Sequence, residues 1–201
     1  VYDSKTELSE ENEIINNPKN IYSFTKLSNE LLAKTYSYLF DLNCFGLRFF
    51  SVYGNFGRPD MSYYKFTDAI INEKIINLSR NGAQKRDFTH VSDITDAIIK
   101  VLNKKNLKNK IYNVGSGKTV SINRIIELLG VKKIYIPKRP GEPETTFADI
   151  RRIKKDIKWK PLISIEEGVD DLKKSINDWK SAPVWTPQKI KKQTKKWFQS
   201  L

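Results

Sequence analysis

A tyrosine and a lysine stand four residues apart in Tyr22-Ser23-Phe24-Thr25-Lys26, and the run continues through Leu27-Ser28-Asn29-Glu30-Leu31-Leu32-Ala33 without a helix breaker. Residues at that spacing share one face of a helix. A free phenol titrates near ~10 and a free ammonium near ~10.4, so neither is a base in neutral water. A cation held against the phenol stabilises the phenolate, and Tyr22 can then serve as a general base. The same spacing also fits a surface tyrosine beside a solvated lysine, so the pair by itself leaves both readings open. Two further features offer chemistry. Ser51 to Asp60 is a loop-like stretch after an apolar run, where ligands meet open α/β sheets. Arg86, ahead of Asp87-Phe88-Thr89-His90, and Arg139, ahead of Pro140-Gly141-Glu142, each offer a planar fork suited to a diphosphate or to a surface ion pair.

Other chemistries lack their residues. One His and one Cys cannot supply the usual nitrogen and sulfur ligands of a metal, and the carboxylates lack ligand spacing, so no metal is expected. His90 reads as a hydrogen-bonded residue at a strand edge. No nucleophile elbow is present. Gly115-Ser116-Gly117 lacks the glycine pattern that opens a dinucleotide fold and reads as a turn.

The patterning predicts the elements that carry these residues. Residues 3–20 are polar and end in Asn16-Asn17-Pro18-Lys19-Asn20, which is loop chemistry before a helix. A helix is expected from about Ile21 to Phe40, then a buried strand over Cys44 to Phe50, which together suggest a parallel α/β unit. Ser51 to Asp60, with two glycines and a proline, reads as loop throughout. Further helices are expected over Tyr63–Asn72, from Ser92 as N-cap to Asn103, from Ser121 to Leu129, over Asp149–Asp156 and over Ile165–Trp179. Strands are expected at Ile75–Leu78, Ile111–Val114 and Ile134–Ile136, while Arg86–Val91 reads as strand or extended loop. A last helix starts at Thr186-Pro187 and carries Ile190, Trp197 and Leu201 as a narrow apolar stripe among lysines, the pattern of a helix docked on the body.

At 201 residues, 39% of them hydrophobic and with four Trp, nine Tyr and ten Phe, the chain can bury a real core. The lone Cys44 excludes an intrachain disulfide, no run approaches the length of a membrane span and no leader is legible, so the expected place is the cytoplasm. The net charge is +13, but the cations are scattered lysines with one concentration between Lys173 and Lys196, and neither a nucleic-acid nor a membrane partner is expected. The chain opens on Val1-Tyr2-Asp3 without Met and is expected to be a piece of a longer protein.

Taken in order, the residues resemble a known family. Val1-Tyr2, Tyr22-xxx-Lys26, Leu47-Arg48-Phe49-Phe50-Ser51-Val52-Tyr53-Gly54, Gly57-Arg58-Pro59-Asp60-Met61, Arg86-Asp87-Phe88-Thr89-His90-Val91, Tyr112-Asn113-Val114-Gly115 and Arg139-Pro140-Gly141-Glu142 resemble the extended short-chain dehydrogenase/reductases, the NAD-dependent nucleotide-sugar epimerases and dehydratases. The match runs over nearly the whole chain, and the Gly57–Met61 loop is most similar to that of UDP-glucuronate 4-epimerases. The fold implied is the C-terminal part of a doubly wound Rossmann-type parallel sheet plus a smaller mixed α/β substrate domain. Residues 1–53 would end the NAD-binding domain and 54–201 would mainly bind the nucleotide sugar, with some segments returning to the sheet.

The resemblance also implies roles. Tyr22 would take the proton from the sugar 4-hydroxyl, and Lys26 would bind the nicotinamide ribose and lower the Tyr22 pKa. Phe49 would lie at the cofactor, Ser51 and Arg58 by the hexose, Arg86 and Arg139 on the diphosphate, and Glu142 on the uridine ribose. Ser51 stands where the family usually has threonine, which keeps a hydroxyl. The glycine-rich turn for NAD and the Ser/Thr of the catalytic triad are not among these residues, so the isolated chain is expected to be inactive and to leave a sheet edge uncovered. The expected activity is 4-epimerisation of a UDP-sugar through a 4-keto intermediate, by a homodimer that packs the second half of the Tyr22 helix, with Leu31, Leu32, Tyr36, Leu39 and Phe40, in core and interface. The alternatives are a 4,6-dehydratase, marked by Asp-Glu just before Val1, and, from another class, a non-catalytic nucleotide-binding or basic nucleic-acid-binding module.

Overall fold

Ile21 to Phe40 holds neither glycine nor proline, and in the computed structural model it forms one helix, α1 (Ile21–Phe40), with the bounds expected. The structure describes residues 18, 21–57, 61–105, 107, 110–137, 144–180, 188 and 192. The expected loop at 3–17 and 19–20, the Arg139-Pro140-Gly141-Glu142 motif and most of the expected last helix lie outside them.

β1 (Gly46–Phe49) follows α1 and pairs in parallel with β6 (Ile111–Val114), Leu47 opposite Tyr112 and Phe49 opposite Val114. The chain then enters β2 (Ser51–Tyr53), parallel to β5 (Phe88–His90). This corrects the expected loop at its start: Val52 and Tyr53 are strand formers, and a parallel partner captures them before Gly54 ends the strand. β3 (Ile76–Ser79) pairs in parallel with β8 (Lys133–Ile136), and β4 (Lys85–Arg86) pairs antiparallel with β7 (Val120–Ser121). Among the described residues each of these is a two-stranded pair.

The helices are α2 (Ser62–Ile71), α3 (Val91–Asn103), α4 (Ile122–Leu129), α5 (Arg151–Ile157) and α6 (Ile165–Lys174). Ser121 caps α4 as expected, accepting from the Arg124 N–H at 3.1 Å. The cap of α3 is not the expected Ser92 but His90, whose Nδ1 accepts from the Ser92 N–H at 3.3 Å; the strand runs straight into the helix, leaving His90 extended at the junction. α5 starts two residues later than expected, with the Asp149 carboxylate accepting from the Arg151 N–H at 2.9 Å. The expected Ile165–Trp179 helix ends at Lys174, and a short 3₁₀ turn carries Ile176–Trp179.

Two apolar cores result. One gathers Tyr53, Phe66, Phe88, Ile126, Leu129 and Val169 from α2, α4, α6, β2 and β5. The other packs α3, β6 and α5 through Ala97, Val101, Tyr112, Val114, Ile153 and Trp159. Full burial of a side chain such as Ile153 contributes about 1.5–3 kcal/mol. Polar anchors close the second core: Asp93 accepts from the Leu162 and Ile163 N–H groups at 3.0 and 3.1 Å, and Trp159 Nε1 donates to the Asp93 carbonyl at 3.2 Å.

Candidate functional site

α1 buries none of its residues, which corrects the expectation that its apolar second half joins the core. Leu31 and Leu32 are each 57% exposed, Leu39 is 61% exposed, and Tyr36 and Phe40 are exposed beside them. Tyr22 is 72% exposed, and the Lys26 ammonium lies 5.3 Å from the centre of its ring, a cation–π distance. The two predicted residues do meet on one helix face.

β1 was expected to be a buried apolar strand, yet its buried residue is Arg48, while Phe49 is 45% exposed. A buried guanidinium demands an anion. Glu30 supplies it: Arg48 Nε donates to Oε1 at 2.7 Å and Nη2 to Oε2 at 2.8 Å. α1 enters β1 through residues 41–45, so its C-terminal end meets the start of the strand. With Glu30 on Arg48, the helix runs antiparallel to β1. Tyr22, eight residues before Glu30, then lies about 12 Å further along the helix, toward the strand's carboxyl end. Phe49 and Ser51 also stand at that end, where β1 passes into β2.

Ser51 is joined to the arginine segment through the backbone: its N–H donates to the Asp87 carbonyl at 3.0 Å. Arg86 is partly exposed on β4, and its Nη1 donates to the Lys85 and Glu144 carbonyls at 2.8 and 3.3 Å. Arg58, Arg139 and Glu142 lie outside the described residues. The described chain resumes at Glu144, whose carbonyl also accepts from the Lys85 N–H at 2.9 Å.

The hub of this side is Asp87, which sequence reasoning passed over. Its Oδ1 accepts from the Ser116 N–H at 2.6 Å and the Ser116 hydroxyl at 2.8 Å; Oδ2 accepts from the Gly117 N–H at 3.0 Å and the Ala148 N–H at 3.2 Å. One carboxylate thus ties β4 and β5 to the Gly115–Gly117 turn and to the 144–148 segment. A side chain on Gly115 would collide with Ala148 and crowd this carboxylate, so the turn can approach only as glycine. Burial pushes the Asp87 carboxyl up from the usual carboxylate range, while the Ser116, Ala148 and Gly117 donors pull it back. The signal available in the sequence was a charged residue amid Phe88, Thr89 and His90. Arg48 carried the same signal, lying between Leu47 and Phe49.

His90 is buried, with its ring edge-on to Tyr53 at 5.3 Å, and burial lowers its pKa against the opposing pull of Asp171 and Asp93. That arrangement suits a neutral cap rather than a ligand-touching acid. Among the described residues no helix is long and apolar enough to cross a membrane.

Known proteins are similar to this chain. UDP-glucuronate 4-epimerase of Thermodesulfobacterium geofontis is 40% identical over 184 residues, covering 88% of this chain and 55% of that protein. Protein CapI of Staphylococcus aureus is 37% identical over 179 residues, covering 78% and 54%. The crystal structure of UDP-glucuronic acid 4-epimerase from Bacillus cereus, in complex with UDP-glucuronic acid and NAD, superposes with a TM-score of 0.78 at 29% identity, covering 87% of this chain and 57% of that one. The chain spans about half the length of the curated relatives it matches. The expected α/β class, part of a doubly wound parallel sheet with a mixed remainder, stands with these neighbours. Residues 1–115 match the model of the NAD dependent epimerase/dehydratase family, and the chain belongs to that family.

Proposed function

We propose that the complete protein is a cytoplasmic, NAD-dependent 4-epimerase of UDP-glucuronate, with residues 1–53 ending the NAD-binding domain and 54–201 mainly holding the nucleotide sugar. The observation that supports the reading is the exposed Tyr22–Lys26 pair on one face of α1, in a chain of this family. The relatives of that name at 40% and 29% identity support the choice of substrate. Tyr22 takes the proton of the sugar 4-hydroxyl, keeps it while C4 is a ketone, and returns it once the sugar has turned its other face. The Lys26 ammonium, with its three donors, fits the ribose hydroxyls of the cofactor as well as the Tyr22 oxygen. NAD, when bound, supplies the redox chemistry at C4. Arg86 and Arg139 hold the diphosphate and Glu142 the uridine ribose, with Ser51 and Arg58 at the hexose and Phe49 against the cofactor. The exposed Leu31, Leu32 and Leu39 of α1 fit a two-fold helical packing between copies, and sedimentation as a dimer is the expected result.

The test is incubation of the complete protein and NAD with UDP-glucuronate, followed by NMR of the sugar. The expected product is the C4 epimer, and Tyr22→Phe should lower kcat by about 10²- to 10⁴-fold, the usual worth of a general base. Release of water instead, giving a 4-keto-6-deoxy product from a UDP-hexose, would move the protein to the dehydratases.

A further inference from the structure

Tyr22, Lys26 and Glu30 follow one another at four-residue intervals, so they form a single stripe along α1. Two members of the stripe face the proposed chemistry; the third is held by the sheet. The Glu30 and Arg48 side chains are only 14% and 7% exposed, and both Glu30 oxygens accept from the guanidinium, a fork-on-fork contact that fixes direction as well as distance. α1 leaves Leu31, Leu32 and Leu39 exposed, and the Glu30–Arg48 pair ties the helix to β1. Arg48 in turn sits in register with Asn113 of β6, a fully buried residue whose Nδ2 donates to the Asp149 carbonyl at 3.3 Å, so the clamp is anchored in the second core.

We propose that Arg48 and Glu30 are a positioning pair, which sets the rotation and the height of α1 so that Tyr22 and Lys26 address the carboxyl end of β1. The inference rests on the reading of Tyr22 and Lys26 as the catalytic pair. A rotation of α1 by one residue swings the stripe through roughly 100°, the angle per residue of a helix with 3.6 residues per turn, and takes the phenol away from its substrate. A displacement of about 1 Å at the reacting group already lowers rates by about 10²-fold.

The experiment uses the complete protein with NAD and compares Arg48→Lys, Arg48→Met, Glu30→Gln, the double variant Glu30→Gln/Arg48→Met and the charge exchange Glu30→Arg/Arg48→Glu. Two readouts are taken: kcat and KM for UDP-glucuronate, and amide hydrogen exchange over 21–40 and over the β1·β6 pair. The expected result is a fall in kcat of about tenfold to a hundredfold in each single variant, with KM within about threefold. Arg48→Lys falls with them, because an ammonium keeps the charge but not the fork. The double variant is no worse than either single one, as for residues acting as a unit. Exchange in α1 accelerates while β1·β6 stays protected, and the charge exchange restores part of both. Single variants within threefold of the parent kcat with α1 exchange unchanged would overturn the proposal. Equal acceleration in α1 and β1·β6 would overturn it as well, since the pair would then serve general stability. If the parent protein does not epimerise UDP-glucuronate, the proposed function fails, whereas the exchange pattern and its restoration still decide the clamp.

Discussion

Replacing Asp87 by asparagine changes one atom and tests the hub directly. The carboxylate accepts on both oxygens, from Ser116 N–H and Oγ on one and from Gly117 and Ala148 N–H on the other, with the Thr89 hydroxyl at 3.3 Å from the first. An amide has a single acceptor oxygen. With that oxygen kept at the Ser116 side, its NH₂ faces the Gly117 and Ala148 N–H groups, donor against donor. The flipped amide instead opposes the Ser116 N–H, the shortest contact of the set. Each buried donor left without an acceptor costs about 1–3 kcal/mol, and bonds to a charged acceptor contribute more than neutral ones. Removing a buried charge returns part of this, because burial already disfavours the ionised form. The net expectation is a loss of about 2–4 kcal/mol in urea unfolding followed by circular dichroism, with Asp87→Ala at least as costly. The sign of the pH dependence follows too. Asp87 has a folded pKa above its ordinary 3.8, so this part of the stability is complete below that value and is lost as pH rises through the folded pKa. The Asp87→Asn protein should lack that slope. A loss below about 1 kcal/mol, or an unchanged slope, would refute the view that this carboxylate organises the Arg86 side of the molecule.

The remaining predictions concern α6 and His90. A methyl on Gly168 would collide with the ring and hydroxyl of Tyr53, so Gly168→Ala should destabilise by about 2 kcal/mol, although alanine is the better helix former by about 1 kcal/mol. A thermal midpoint that rises on this change would contradict the packing of α6 on β2. Ser164 and Glu167 form a reciprocal capping box at the start of α6, and Ser164→Ala should cost about 1 kcal/mol in the same melts. His90 has a folded pKa below its ordinary 6.5. Its contribution is therefore present above pH 6.5 and lost as pH falls from there toward the folded value. Urea unfolding between pH 7 and 5 should show stability declining with acid. The decline should be smaller in His90→Asn, which keeps a capping acceptor for Ser92 without a titrating ring.

Much was legible without coordinates because the chemistry of single segments decides it. The bounds of α1 followed from a run lacking breakers, Ser121 announced the start of α4, and the Ile111–Val114 strand stood between turn residues. The Tyr22–Lys26 face followed from helical spacing alone, and the ordered motifs from Leu47 to Val114 pointed to the family before any partner was visible. Local chemistry could not say which residues pair across distance. Whether Ser51–Tyr53 was loop or strand depended on Phe88–His90 arriving beside it. His90 displaced Ser92 as the cap of α3 because tertiary packing held it extended at the end of β5. The two buried charges, Arg48 and Asp87, looked out of place among apolar neighbours, and a buried charge is stable only with partners. Those partners stand 18 residues away at Glu30 and 29 to 61 residues away at Ser116, Gly117 and Ala148. The local pattern therefore determined which residues can do chemistry, and the fold decided which charges hold them in place.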